Sequence, residues 1–193
     1  MLRRELLMRS AMVALLVGAL AGAAAAQQAS DPVLWATSLA MDYSVVPDIT
    51  YLTANNWDAK LDLYLPRNAK GPNPTVIYIH GGGWVWARYT KETSNLVILP
   101  YLAMGFTVVN VEYRLGKISL APAAVEDCRC ALRWVIRNAK QYNFDVNRIV
   151  VTGNSAGGHL SLTTGMLPES AGLDRQCPGS EELKVAAIIN WSG

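Results

Sequence analysis

The stretch RIVVTGNSAGGHL, residues 148–160, decides the fold of this chain. Its first five residues, RIVVT, are typical of a buried strand, and small residues follow at once. Gly153 and Gly157 stand two residues before and two residues after Ser155, where they permit a sharp turn from strand to helix that larger side chains would obstruct. The spacing therefore predicts that Ser155 projects alone from the N-terminus of a helix that continues to about residue 167.

A second glycine-rich turn, HGGGW at residues 80–84, follows the apolar strand VIYI at residues 76–79. Both turns therefore fall at the carboxyl ends of strands, where α/β sheets form their sites. A serine that attacks a carbonyl carbon needs N–H donors for the oxygen that becomes negative, and glycines supply them without steric obstruction. We expect that oxygen to meet the N–H groups of Gly82, Gly83 and Ala156.

Strands and helices alternate along the rest of the chain, and a single domain without repeats or linkers accounts for them. The segment KLDLYL at residues 60–65 alternates leucines with polar residues and is interpreted as an edge strand, after a mixed lead-in at residues 30–50. The other predicted elements are, in chain order, strand 76–79, helix 94–104, strand 106–111, helix 122–140, strand 148–152, a helix to about 167, and strand 185–191. This order predicts an α/β fold with a doubly wound, mostly parallel sheet and helices on both faces.

On these residues, the chain resembles the α/β-hydrolase superfamily, and within it the HGGG-type serine esterases around hormone-sensitive lipase and the bacterial acetyl- and feruloyl-esterases. The resemblance covers about residues 51–191 and rests on the two glycine loops and on the runs KLDLYLP, VVNVEYRL, APAAVEDC and NRIVVTGNSAGGHL. It implies a carboxylic ester hydrolase of the α/β-hydrolase fold that acts through an acyl-enzyme and requires no cofactor. Carried over by position, Ser155 matches the nucleophile, and Gly82, Gly83 and Ala156 match the oxyanion hole.

The histidines depart from that pattern. In the family, the acid and the general base follow the nucleophile in the order Ser, Asp or Glu, His, whereas this chain has only His80 and His159. The resemblance implies a loop-bracing role for His80, and His159 follows Ser155 by four residues on the same predicted helix. We therefore expect the base to lie beyond residue 193, so that this chain is an N-terminal part of the hydrolase domain and is inactive by itself. Catalysis by His159 is the alternative.

The first 26 residues have the composition of a secretory signal peptide. Three arginines among the first nine residues precede an apolar run of small residues, which ends in an Ala-x-Ala pattern before Gln27. The run is shorter than the ~20 residues needed to cross a bilayer. We expect a mature hydrolase domain at residues 27–193 that is periplasmic or secreted and has no membrane contact after cleavage. A retained anchor is the alternative.

Export would place the three cysteines in an oxidising compartment, where a structural disulfide persists. Cys128 and Cys130 are two residues apart on a predicted helix, so their side chains point in different directions. Cys177 is therefore the candidate partner, and Cys130 is preferred over Cys128 because Cys128 falls on the apolar stripe of the helix. The alternative is that all three are small buried residues.

Composition excludes several classes of function. The net charge of +2 is spread along the chain without a block of Lys or Arg, so the sequence carries no electrostatic footprint of nucleic-acid binding. The two histidines and three cysteines show no metal-ligand spacing. A small-molecule ester is the expected partner. Two alternatives stay open: an amide hydrolase of the same fold, such as an arylformamidase or an exported serine peptidase, and a non-catalytic hydrolase-like binding module.

Side chains near the two loops allow more than one interpretation. Trp84 and Trp86 either line an acyl or aromatic pocket or pack in the core, and Arg114 is interpreted as a structural ion-pair residue rather than a substrate clamp. Three carboxylates that precede the last strand are interpreted as solvated loop charges: Asp174, Glu181 and Glu182.

Overall fold

A computed structural model describes residues 32–86 and 90–193, so the expected signal peptide at residues 1–26 lies outside the described residues. Among the described residues, 32–41 belong to one compact unit and 42–193 to another. In the first unit, helix α1 (Pro32–Met41) opens on a proline, which suits the first helical position because that position leaves its N–H unused. No helix within the described residues is long and apolar enough to cross a membrane.

The second unit is built on a six-stranded sheet with the strand order β1-β2-β4-β3-β5-β6. Its strands are β1 (Tyr43–Ala54), β2 (Trp57–Pro66), β3 (Asn73–Ile79), β4 (Thr107–Val111), β5 (Phe144–Asn154) and β6 (Ala187–Trp191). The first two strands form an antiparallel hairpin, and β2 pairs antiparallel with β4. The strands β4, β3, β5 and β6 are parallel. The predicted fold class is therefore confirmed.

The expectation of an edge strand at residues 60–65 is wrong. That segment lies within β2, which is covered on its outer side by β1. The polar residue that suggested exposure, Asp62, is buried and bonded to Lys91 at 2.9 Å. The strand β1 escaped notice because its register is broken between Val46 and Ile49, which interrupts the alternation of apolar and polar residues.

The helices of this unit are α2 (Asn95–Ala103), α3 (Ala123–Arg137), α4 (Ala139–Tyr142) and α5 (Ala156–Met166). Alternate residues of β3 point to opposite faces of the sheet. Ile77 and Ile79 belong to the core that also contains Leu132 of α3 and Leu160 of α5. On the opposite face, the hydroxyl of Tyr101 in α2 lies 3.4 Å from that of Thr152 in β5. The sheet is thus flanked by helices on both faces, as the alternation predicts.

The segment between α5 and β6, residues 167–186, is fastened to α3 by charges and by a covalent bond. Arg133 is 1% exposed and pairs with Asp174 and Glu181. Arg137 pairs with Glu181 as well. The expectation that these carboxylates are solvated loop charges is therefore wrong for Asp174 and Glu181, because the buried guanidinium group of Arg133 requires partners. Glu182 is exposed.

The cysteines follow the preferred pairing. Cys130 of α3 is disulfide-bonded to Cys177, with 5.6 Å between their Cα atoms. Cys128 is free and buried, and burial raises the pKa of its thiol well above the usual value. The predicted disulfide is confirmed, and it closes the same contact between α3 and residues 167–186 that the arginines form.

Candidate active site

Ser155 occupies a strained turn between β5 and α5. Its backbone angles are φ 52° and ψ −122°, a conformation that residues other than glycine rarely adopt. Its N–H donates to the carbonyl oxygen of Trp191 at 2.8 Å, and its own carbonyl accepts from the N–H of His159 at 3.1 Å. The turn is therefore held by β6 on one side and by the first turn of α5 on the other, and it leaves the Ser155 side chain exposed.

The two glycines around Ser155 are required by close backbone contacts. A Cβ atom on Gly153 would lie 2.3 Å from the carbonyl oxygen of Ile79, and one on Gly157 would lie 2.0 Å from the same oxygen. These obstacles are backbone atoms of the neighbouring strand, which cannot rotate away. Helix α5 can start this close to the end of β3 only because both positions lack a side chain.

The HGGG loop lies directly against this turn. A Cβ atom on Gly81 would be 2.8 Å from the carbonyl oxygen of Asn154, the residue before Ser155. The loop then turns sharply, with φ values of 109° at Gly82, 59° at Gly83 and 61° at Trp84. The carbonyl oxygen of Gly82 accepts hydrogen bonds from the two N–H groups that follow Trp84, at 3.2 and 3.0 Å. The two glycine loops are therefore neighbours, at the carboxyl ends of β3 and β5.

The residues expected to form the oxyanion hole lie in the HGGG loop and at the start of α5. Gly82 and Gly83 lie in the turn of the HGGG loop, and Ala156 is the first residue of α5. Within residues 32–86 and 90–193, no group accepts a hydrogen bond from the N–H of any of the three. Unpartnered N–H groups at a helix start and in a glycine turn can stabilise a developing negative charge.

The two histidines have different surroundings. His80 is buried, its Nδ1 atom lies 2.8 Å from the carbonyl oxygen of Gly81, and its ring stacks on Tyr113 with 4.4 Å between centroids. The Tyr113 hydroxyl donates to the His80 carbonyl oxygen at 3.0 Å. This arrangement braces the HGGG loop. His159 is exposed, and its ring meets the indole of Trp84 edge-on, with 5.4 Å between centroids.

Arg114 is an ion-pair residue. Its Nη2 atom lies 2.7 Å from Oδ1 of Asp127, and its Nε atom is 3.0 Å from both carboxylate oxygens. Its backbone N–H donates to the same carboxylate at 2.7 Å. The hydrogen bonds that Arg114 donates to the Asp127 carboxylate raise the pKa of Arg114, and burial raises the pKa of Asp127. The pair joins the end of β4 to α3, as the structural interpretation of Arg114 expects.

A cavity of about 440 Å³ opens beside the two loops. Trp84 lines it, whereas Trp86 is 60% exposed. Sequence reasoning missed its opposite wall, which is formed by Leu120 and Pro122 before α3 and by Val125 in the first turn of α3. The run APAAVEDC predicts the start of a helix, but its residues do not indicate what the first turn of that helix faces. No group of His, Cys, Asp and Glu within the described residues could hold a metal ion.

Comparison with known proteins identifies close relatives. The chain is 37% identical over 117 residues to carboxylesterase NlhH of Mycobacterium tuberculosis, a match that covers 60% of this chain and 36% of that protein. Its fold matches the thermophilic esterase Est2 of Thermogutta terrifontis with a TM-score of 0.64 and 26% identity, over 77% of this chain and 52% of that one. A bacterial heroin esterase matches with a TM-score of 0.55 and 31% identity, over 70% and 46%.

The chain thus spans about a third of the length of the curated relative and about half of the solved structures that it matches. The BD-FAE family model matches residues 61–193, which include both glycine loops and the strands that carry them. With an α/β-hydrolase sheet, a serine turn and an adjacent HGGG loop, the chain belongs to the BD-FAE family of α/β-hydrolase esterases.

Proposed function

We propose that the protein is a serine carboxylic ester hydrolase that acts through an acyl-enzyme on Ser155. The observation that carries the proposal is the backbone of Ser155, which has a φ of 52° between two glycines that no other residue could replace. Strain of this kind persists only where the surroundings enforce it, and it is typical of catalytic positions. The carboxylesterase NlhH and the Est2 esterase, to which the chain is similar, support ester chemistry.

The proposed reaction has two steps. A general base removes the proton of the Ser155 hydroxyl as its oxygen bonds to the carbonyl carbon of the ester, and the resulting oxyanion accepts hydrogen bonds from the N–H groups of Gly82, Gly83 and Ala156. The C–O bond to the alcohol then breaks, and the base returns the proton to the leaving alcohol. Water, deprotonated by the same base, releases the acid and restores the serine.

The base is proposed to be a histidine carried by chain beyond residue 193. His80 is buried and braces the HGGG loop, and His159 belongs to the helix that carries the nucleophile. A base that accepts the serine proton and passes it to the leaving alcohol must face the serine from another loop, in the order Ser, Asp or Glu, His. The relatives' greater length leaves room for such a segment.

The same proposal includes export. The apolar N-terminal segment with its Ala-x-Ala pattern before Gln27 supports a signal peptide, and the disulfide between Cys130 and Cys177 supports an oxidising compartment. N-terminal sequencing of the protein purified from its natural host should start at Gln27. A protein that retains Met1 and remains in the cytoplasm would contradict export without affecting the proposed chemistry.

The test of the chemistry is Ser155→Ala in the protein expressed from its complete gene. We expect the variant to lose about a millionfold in kcat on 4-nitrophenyl acetate and to lose covalent labelling by an organophosphate. Ser170→Ala, at an exposed serine in the segment fastened to α3, is the matched control and should react like the parent. Labelling that persists in Ser155→Ala would exclude Ser155 as the nucleophile.

A further inference from the structure

The side chain of Asn154, the residue before Ser155, connects the nucleophile turn to strand β3. The hydroxyl group of Tyr78, the second-last residue of β3, donates a hydrogen bond to Oδ1 of Asn154 at 2.9 Å. Tyr78 is 2% exposed, whereas Asn154 is exposed. A carbonyl oxygen only accepts hydrogen bonds, so the phenol hydrogen points at the amide oxygen and the amide nitrogen of Asn154 is turned away from Tyr78.

The amide nitrogen of Asn154 lies against the HGGG loop. A Cβ atom on Gly81 would be 3.0 Å from Nδ2 of Asn154 and 2.8 Å from its backbone oxygen. Asn154 therefore packs against Gly81 with both its backbone and its side chain. The Tyr78 hydroxyl fixes this packing, because it determines which end of the amide faces the loop.

This contact lies where the sheet no longer holds the two loops together. The last paired residues of β3 and β5 are Ile79 and Gly153, after which the two segments continue as the HGGG loop and the Ser155 turn. Within residues 32–86 and 90–193, no backbone hydrogen bond joins the three glycines of the HGGG loop to that turn. The side chain of Asn154 therefore continues the connection past the end of the paired strands.

Tyr78 is itself held in place. Its hydroxyl group is hydrogen-bonded to the side chain of Ser94, which is 4% exposed and precedes α2. Burial raises the pKa of Tyr78 to about 12. The phenol therefore keeps its hydrogen and remains a donor to Asn154 over the whole pH range in which ester hydrolysis is measured.

We propose that Tyr78 and Asn154 are positioning residues, which hold the Ser155 hydroxyl at the distance from the N–H groups of the HGGG loop that the oxyanion requires. The inference rests on the proposed ester hydrolysis and adds to it two residues that act through the nucleophile turn. Donors for an oxyanion contribute most when they are fixed before the reaction, so a loosened turn slows the chemical step. Substrate binding changes little, because neither residue acts on the substrate itself.

The experiment is a double-variant cycle on the protein expressed from its complete gene, with 4-nitrophenyl acetate as the substrate. Tyr78→Phe removes the donor, and Asn154→Leu removes the acceptor while nearly keeping the shape of the side chain. We expect each substitution to lower kcat by at least about tenfold and to leave KM within about twofold of the parent value. Because both substitutions break the same contact, the combined variant should be about as slow as the slower single variant, without multiplication of the two losses.

Two comparisons separate positioning from a general loss of structure. Asn154→Asp keeps an oxygen that accepts the hydrogen bond from Tyr78, so it should retain at least about a third of the parent kcat. Tyr101→Phe removes another buried hydroxyl group on the same face of the sheet, 3.4 Å from that of Thr152, and should leave kcat within about twofold of the parent value. Urea unfolding of every variant ensures that folded proteins are compared.

A folded Asn154→Leu or Tyr78→Phe protein with kcat within about twofold of the parent value would overturn the inference. Losses that multiply in the combined variant would overturn it too, and so would an Asn154→Asp protein as slow as Asn154→Leu. If Tyr78→Phe does not fold, the two substitutions at the exposed Asn154 decide the question. The proposed function is tested separately by organophosphate labelling of Ser155. A protein whose hydrolysis requires Ser155 but neither positioning residue would retain the proposed function and lose the inference.

Discussion

The turn around Ser155 and the segment at residues 167–186 lie at opposite ends of α5 and are held by different forces. The turn is fixed by backbone contacts at Gly153 and Gly157, where the carbonyl oxygen of Ile79 leaves no space for a Cβ atom. The segment is fixed by the disulfide from Cys130 and by the ion pairs of Arg133. Both kinds of contact join distant parts of the chain, since Gly153 and Gly157 meet the end of β3 at Ile79 and the disulfide closes a separation of 47 residues. They differ in what they require, which is the absence of side-chain atoms in the turn and specific partner side chains in the segment.

This difference explains why the two regions should respond differently to change. A steric contact between backbone atoms is intolerant of any added atom but insensitive to pH and to reducing agents. A disulfide and ion pairs tolerate small changes in shape but respond to redox conditions and to protonation. The substitutions below separate these responses.

The largest effect is expected for Gly157→Ala. The added Cβ atom would lie 2.0 Å from the carbonyl oxygen of Ile79 and 2.7 Å from that of His80, and neither backbone atom can move without disrupting β3. We expect the free energy of unfolding to fall by at least about 5 kcal/mol, which is enough to prevent folding in many domains. The loss of stability is measured by the yield of soluble protein and by the midpoint of urea unfolding.

Gly71→Ala is the control for that substitution. Its Cβ atom would meet nothing within 4 Å, so the stability should change by no more than about 0.5 kcal/mol. A soluble Gly157→Ala protein with the stability of Gly71→Ala would show that α5 can withdraw from β3, and the steric account of the turn would fail.

A smaller effect is expected when the disulfide is removed from residues 167–186. Cys130→Ala combined with Cys177→Ala should lower the free energy of unfolding by about 4 kcal/mol, because the bond closes a loop of 47 residues in the unfolded chain. Denaturant unfolding with and without dithiothreitol measures this. The reductant should destabilise the parent protein by a similar amount and should not affect the double variant.

Cys128→Ala provides the matched comparison, since it removes a buried thiol from the same helix and leaves the disulfide intact. It should cost about 1 kcal/mol from lost packing and should keep the full response to dithiothreitol. Equal stability of the double variant and the parent would mean that the arginines alone fasten the segment.

The Ser155 turn and residues 167–186 also differ in how well the sequence alone predicts them. The turn at Ser155 and the HGGG loop were predictable because the need for positions without side chains is visible in the glycine spacing itself, even though the atoms that these glycines meet are distant in sequence. The strand β1 was not, because Pro47 and the register break beside it interrupt its alternation. The roles of Asp174 and Glu181 were not predictable either. The composition of residues 167–186 resembles that of a solvated loop, and nothing in it reveals the partner of these carboxylates on α3, which is 41 and 48 residues away.

A pH dependence should distinguish the charged contacts from the steric ones. Arg137 bonds to Glu181 and lowers the pKa of its carboxyl group to about 2. Because the folded pKa lies below the unfolded value of about 4.3, this group stabilises the fold above pH 4.3 and loses that contribution as the pH falls from 4.3 to 2. The difference in urea midpoint between the parent and Glu181→Gln should therefore be constant near neutral pH and disappear toward pH 2.

Glu182→Gln is the control for this comparison, because Glu182 is the exposed neighbour. It should follow the parent at every pH. A difference between the parent and Glu181→Gln that grows as the pH falls would have the wrong sign for a depressed carboxyl pKa and would refute the assignment.

The smallest effect is expected for His159→Phe, measured in the protein from the complete gene. Phenylalanine keeps an aromatic edge against Trp84, where the two rings are 5.4 Å apart, but it cannot accept a proton. If His159 only lines the cavity beside the HGGG loop, kcat for 4-nitrophenyl acetate should stay within about threefold of the parent value, because the proton acceptor lies elsewhere. His159→Ala, which removes the ring contact as well, should lose more than His159→Phe. If His159 were the general base, both variants would instead lose activity to the level of Ser155→Ala, since members of a catalytic unit fail together. That outcome would place the base on α5 itself and would remove the reason to seek it beyond residue 193.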